Sequence, residues 1–441
     1  MFLSWCGVSV SHPQTAACVI CHQTSAAAQC ATSNRTLNAL AEGYIKLVLA
    51  IGCHQPLYVD AYYGPADWQA QASLRPLTEL VADCASLRAE CDKVSKGLDC
   101  QALIQRHRFL TKQLTSVASY LTGLMGESLS FDQESLALYD AKAPKHQLSH
   151  FSETLAELDR LLPGEGSLTS RFEAYRRPFI VPFDKVPQVF TAAVEQARAV
   201  TRQHIVLPEE ERFRVEFVKD KIWTAYNWYQ GDYTSLIQLN QDHPLYLERA
   251  MELASHEGYP GHHLFNLLQE RDLVMGLGWM EYAVYPLYSP ISFLSEGSAN
   301  YGLSLLMSKA EIIAFEREVL MPLAGIEGDI HHYHRVMDAY KGLAHMDELV
   351  CRQFIDGEID ADQAAQTLVE FGLYSSAKAA QRVDFYRSNR SYVINYHFGE
   401  ASVGEYVTGQ ARDTAQAWRV FAALLARPRA ASEIIPILVN S

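Results

Sequence analysis

The feature that most restricts this chain is an octapeptide, His256-Glu257-Gly258-Tyr259-Pro260-Gly261-His262-His263, at the end of a helix-spaced apolar stripe. Leu247, Ala250, Met251 and Ala254 fall at i, i+3, i+4 and i+7, the pattern of a helix packed on one face. Pro260 withholds the amide that would bond the carbonyl of His256, and Gly261 tolerates dihedrals that other residues avoid. The helix therefore has to be interrupted here. Without a break, His262 would lie about 600° around the axis from His256 and face away from it. His263 would return to the right face, but about 10 Å farther along the axis. A coil that loops out at Pro260-Gly261 brings His262 back beside His256, with His263 left open as the alternative.

These residue types in this order point to metal chemistry. Hydrolysis at zinc needs two imidazoles, a third ligand, an open position for water and a carboxylate to take the water's proton. His256 lies roughly opposite the apolar stripe, so it does not read as a core histidine, and Glu257 follows it directly. The third ligand must come from another element. Glu296, in Phe293-Leu294-Ser295-Glu296-Gly297-Ser298-Ala299-Asn300-Tyr301, is the best candidate. Ile291, Leu294, Tyr301 and Leu305 mark another face of its helix, and Gly297, Ser298 and Ala299 would let the metal-bearing helix approach closely. The plainer readings are an exposed histidine pair at a helix C-terminus, favoured by the dipole, and a surface glutamate.

The rest of the chain is consistent with a folded, mainly helical protein. Its 441 residues carry 49% hydrophobic and 20% charged residues, which excludes a disordered chain. The net charge of −14 disfavours nucleic acid as a partner. No apolar run is long enough for a membrane span, since Tyr44 to Cys53 is short and interrupted by Lys46. Nine cysteines at scattered spacings suit a reducing compartment, so the cytoplasm is expected, with export as the alternative if the N-terminal leader acts as a weak signal peptide. Cys18-Val19-Ile20-Cys21-His22 has the spacing of a haem attachment site but sits in that leader, and His331-His332-Tyr333-His334 reads as exposed or lining histidines.

Residues 1–32 are expected to be a poorly ordered leader and 33–441 the folded domain, with a helical half over 33–205 and a half over 206–441 that carries the metal site. Helical spacing starts near Ser33-Asn34 and recurs in Leu77 to Val94, Gln101 to Leu124, Phe151 to Leu162 and about Pro187 to His204. Phe213 to Val218 and Trp223 to Asn240 read as a small antiparallel hairpin or sheet, turning at Gln230-Gly231-Asp232. Tyr233 to Asn240 is expected to offer an edge for a peptide, or to be a structural hairpin only. Helices follow at Ile291 to Met307, a long one from about Ile326 to Phe354, Asp362 to Phe371, Tyr392 to Val407 and Thr414 to Leu425.

The octapeptide followed by Glu296-Gly297-Ser298-Ala299-Asn300-Tyr301 resembles a widespread bacterial family, long catalogued as a domain of unknown function, whose members carry H-E-x-x-P-G-H-H and then E-G-W-A-x-Y. That family is similar to the glutamate-zincins, metallopeptidases with two histidine ligands and one glutamate ligand. The resemblance continues through Asp362-Gln363-Ala364-Ala365, Phe371-Gly372-Leu373, Ala379 to Tyr386 and Tyr396-His397-Phe398-Gly399, where the family has a Y-x-x-G element. Two positions depart from the pattern. Ser298 stands where tryptophan is usual, and Arg390-Ser391-Tyr392 replaces a P-G-Q approach.

The resemblance implies a mainly α, multi-helical, glutamate-zincin-like architecture with a small sheet before the metal-binding helix. It implies Zn²⁺ held by His256, His262 and Glu296, with Glu257 as general base. Tyr396 is the candidate donor to the oxyanion, with His397 beside it as a second catalytic candidate. The expected activity is a zinc metallopeptidase acting on short peptides. The alternatives are a zinc amidase acting on a small molecule and a catalytically silent metal- or peptide-binding protein of the same fold.

Overall fold

The computed structural model describes residues 24–95, 98–221 and 225–435. Most of the expected leader, including Cys18 to His22, lies outside the described residues. Helices Leu77–Val94 and Gln101–Leu124 stand where their periodicity sets them. The first helix, Thr24–Gly52, starts ahead of the expected Ser33-Asn34, because the alanines at 26–28 are strong helix formers and continue the coil toward the N-terminus.

These three helices pack around Leu37, Tyr44, Val48, Leu80, Leu110 and Leu114, a core that Leu273, Trp279, Tyr282 and Ala283 close from the other half of the chain. Arg106 pins the junction. Its guanidinium makes paired bonds to Glu281 at 2.5 and 2.8 Å, both side chains fully buried, and donates to Asn34 and Asn38 on the first helix at 2.7 Å each. Strand β1 (Val59–Tyr62) also crosses the halves, pairing antiparallel with β5 (Val284–Pro286).

The expected small sheet comprises β2 (Arg212–Val218), β3 (Ala225–Gly231) and β4 (Thr234–Asn240). β3 and β4 form the antiparallel hairpin, and β2 joins the far side of β4 in parallel. The order β2-β4-β3 makes β4 the central strand. This corrects the expectation of an edge at Tyr233 to Asn240: both sides of β4 are already paired, and the edge nearest the octapeptide belongs to β3, whose Asn227 amide donates to the carbonyl of Glu257.

At the centre of the larger core is the helix Pro290–Leu306, buried along nearly all its length. Within it Ser298, fully buried, donates its hydroxyl to the carbonyl of Ser295 at 3.0 Å. Gly297 meets the backbone of Gly399, where a Cβ would lie 2.5 Å from the carbonyl. The small residues after Glu296 therefore admit the helix His397–Gln410, and it is Gly302 that packs against Pro260 of the octapeptide. The expected long helix from Ile326 to Phe354 is two, Ile330–Lys341 and Met346–Ile355, broken at Gly342 to His345. The expected Tyr392 to Val407 helix likewise has a 3₁₀ segment, Arg390–Asn395, before a kink at Tyr396. No helix among the described residues is long and apolar enough to cross a membrane.

Candidate metal centre

The apolar stripe builds the helix Leu247–Leu253, which widens into a π-helical turn over Ala254–Gly258. Tyr259 to Gly261 then leave the coil, and a new helix starts at His262 and runs to Gln269. The interruption expected at Pro260-Gly261 is therefore made of a widened turn plus a short excursion. Gly261 passes so close to the preceding turn that a Cβ there would lie 1.9 Å from the carbonyl oxygen of His256 and 2.3 Å from that of Ser255. Only glycine fits that approach.

The excursion returns His262 to His256. Their Nε2 atoms are 3.1 Å apart, and Oε2 of Glu296 lies 3.4 Å from the first and 3.7 Å from the second. These three residues form a group that could hold a metal ion. With metal–ligand bonds of ~2.05 Å and tetrahedral angles, ligand atoms sit about 3.3 Å from one another. The observed triangle brackets that value.

The remaining polar atoms of the triad are used in ways that leave the inner face free. Asn300 Oδ1 accepts from Nδ1 of His256 at 2.9 Å, and Ser295 Oγ lies 3.0 Å from Nδ1 of His262. With Nδ1 of His256 donating to Asn300, its Nε2 lone pair faces inward, and donation from Nδ1 of His262 to Ser295 would supply the second. Tyr392 donates to Oε1 of Glu296 at 2.8 Å, while Oε2 is buried without a hydrogen-bond partner. An orphaned carboxylate oxygen facing two imidazole nitrogens is a donor set suited to a zinc-class cation, so these residues fit the implied ion.

Electrostatics tie further groups to the same space. Burial disfavours the His256 imidazolium, but Glu296 and Glu257 outweigh it and carry its pKa up to about 9. Burial works against the Glu296 carboxylate too, yet the two imidazoles hold it far below the usual carboxyl range. Glu257 is 5% exposed, and burial lifts its carboxyl above the ordinary range against the pull of His256 and His262. Burial, then the charges of Glu296 and Glu257, push the Tyr396 hydroxyl well up, which places it in the field of both carboxylates.

His397 does not join this group. Its ring turns toward Glu400, 3.9 Å away, and toward the ring of His345. His263 is fully buried between Ser235 Oγ at 2.7 Å and Glu211 Oε1 at 3.1 Å, and so supports the sheet and not the triad. In the histidine run, His334 pairs with Glu316 and His332 with Tyr175.

Sequence reasoning missed four contributors. Asn300 stands one turn after Glu296, so helical spacing from the proposed ligand could have found it, whereas Ser295, directly before Glu296, shares no helical stripe with it and had no such mark. Tyr392 had only its place in the resembling element to mark it. Asp60, on β1, had no local signal: it is half-buried, bonded by the Tyr226 hydroxyl, and desolvation raises its carboxyl to about 6 within the field of His262, Glu296 and Glu257.

No family model matches the chain, and no curated protein matches it. The fold is similar to that of a "putative lipoprotein" from Colwellia psychrerythraea, with a TM-score of 0.52 and 12% identity over 81% of this chain and 68% of that one. A "putative lipoprotein of unknown function" from Shewanella oneidensis aligns at a TM-score of 0.45 and 14% identity, over 84% and 74% of the two chains. The first likeness supports the mainly helical fold and carries nothing about the site.

Proposed function

We propose that this chain is a zinc-dependent hydrolase of amide bonds, a metallopeptidase acting on short peptides. The observation behind the reading is the convergence of His256, His262 and Glu296 on one ion-sized space, with Glu257 buried in its field. A zinc ion bound there supplies Lewis acidity, bringing the pKa of a water toward ~7 and polarising a carbonyl oxygen. Glu257 accepts the proton of the attacking water and returns it to the leaving amine, a task suited to a carboxyl whose pKa burial has raised. The Tyr396 hydroxyl, kept protonated by burial and then by the neighbouring carboxylates, donates to the oxygen that gains charge as the carbonyl becomes tetrahedral. Asn300, Ser295 and Tyr392 hold the three ligands in place.

The test is cleavage of a peptide library by zinc-loaded protein, read by mass spectrometry, alongside Glu257→Gln. The variant should keep its zinc and lose about 10²–10⁴ in turnover. Loss of zinc together with activity would remove Glu257 from the role of base. A wild-type protein that binds zinc and cleaves nothing would be a binding protein, and one that hydrolyses only small acyl amides would be the amidase. Cell fractionation decides between the cytoplasm, expected from the cysteines, and export, which the name of the Colwellia neighbour raises.

A further inference from the structure

A second group of metal-ligating side chains lies at the break between the helices Ile330–Lys341 and Met346–Ile355, apart from the triad. His345 sits in the break itself, Glu348 in the first turn that follows, and His146 on the irregular segment 141–147. Each offers a ligand atom, and these atoms all lie within 4.8 Å of one another.

The hydrogen bonding shows what the group lacks. Nδ1 of His345 is 3.1 Å from Oε2 of Glu348, whose side chain is almost wholly buried. The other oxygen of Glu348 accepts the backbone amide of Phe398 at 3.1 Å, so the carboxylate is fixed from two sides. The ring of His146 stacks on that of His345, centroids 4.7 Å apart and planes within 18°, and its Nε2 is buried with no hydrogen-bond partner. A simple helix-start ion pair between His345 and Glu348 would account for those two residues. It would not explain a second imidazole laid against the first with a buried nitrogen unsatisfied, since two imidazoles so placed cannot both carry a proton without repelling.

We propose that His146, His345 and Glu348 form a second site for a divalent transition-metal ion of the zinc class. Two imidazoles and one carboxylate are the donor set such ions take, and magnesium or calcium would require more oxygen ligands. A further imidazole, His397, has its ring 6.1 Å from that of His345. The ring of His150 lies 5.7 Å from that of His146, with its Nδ1 taken by the amide of Gln147 at 2.8 Å. The site's role is that of a clip. It joins the irregular segment at 146 to the helix start at 345–348, and through Glu348 to the amide of Phe398, two residues beyond Tyr396. An ion here thus steadies the kink that presents Tyr396 without touching substrate.

The experiment is metal uptake by the full chain after stripping with EDTA, using Zn²⁺ alone in competition with a chromophoric chelator and elemental analysis for stoichiometry. Glu296→Gln removes the contribution of the first site, so the second is read by itself. In that background one equivalent should bind, and His146→Ala and His345→Gln should each weaken it by more than about 100-fold, beyond what loss of a supporting residue does. In the otherwise unaltered chain His146→Ala should remove one equivalent and leave the other. Uptake by Glu296→Gln that is absent, or unchanged by both histidine substitutions, overturns the second site. His146 stands on an irregular, half-buried segment, so its variant should keep the fold, and circular dichroism checks this for both.

Discussion

Gly261→Ala tests the physical basis of the metal centre more directly than removing a ligand. A Cβ at 261 would lie 1.9 Å from the carbonyl oxygen of His256, whereas ordinary contact starts at 3.4 Å, so the shortfall is 3.4 − 1.9 = 1.5 Å. Both obstructing atoms are backbone, at Ser255 and His256, and no side-chain rotation relieves them. The excursion must open between the turn that carries His256 and the helix start that carries His262. Their Nε2 atoms, now 3.1 Å apart, would separate well beyond the ~3.3 Å that two ligands of one tetrahedral ion require. Zinc affinity should fall at least ~100-fold, about 2.7 kcal/mol. The assay is competition against a chromophoric chelator, with circular dichroism and thermal unfolding to establish that the chain stays folded. Gly258→Ala is the control, because a Cβ there meets nothing within 4 Å and should leave affinity within about threefold of wild type. A folded Gly261→Ala that binds zinc like the wild type would refute the argument that close approach at this glycine brings the imidazoles together.

Three other outcomes are expected. Asn300→Ala removes the acceptor that orients His256 and should weaken zinc binding about 10- to 100-fold in the same competition assay, with little change in stability. Glu281→Ala leaves Arg106 charged and fully buried, which should destabilise the chain by about 3–5 kcal/mol in urea unfolding, and no change in midpoint would show the junction to be dispensable. Burial works against the Glu211 carboxylate, but His263 and Arg198 outweigh it and hold its pKa below the ordinary 4.5. A depressed folded-state pKa contributes stability above the unfolded value, and that stability is lost as pH falls from 4.5 through the folded value. Wild-type stability should therefore decline more steeply in that window than that of Glu211→Gln, as followed by circular dichroism, and parallel curves would sink the assignment.

What could be read from the sequence divides along a physical line. Leu77–Val94 and Gln101–Leu124 were legible because each buries one stripe against a neighbour, and burial imposes a period. The return of His262 was legible because proline removes a helical hydrogen bond and glycine admits dihedrals that other residues avoid, both local effects. The break at Gly342 to His345 was not, since helical spacing continues across it and the interruption is settled by packing. The place of β4 depended on β2, which pairs across the intervening β3. A strand's own alternation does not say whether its second edge is used. Asp60 reaches the site only because β1 pairs with β5, a long-range event with no local mark.

The bond between Arg106 and Glu281 also sets an order of events during synthesis. The guanidinium leaves the ribosome well before its carboxylate, and at typical elongation rates the wait is roughly 10–35 s. Until then the helices Thr24–Gly52, Leu77–Val94 and Gln101–Leu124 lack the residues that close their core, and their cation has only Asn34 and Asn38 for company. A nascent chain in that state exposes an apolar face that invites chaperones, and a gene truncated before codon 281 would encode a product that never finds its seal.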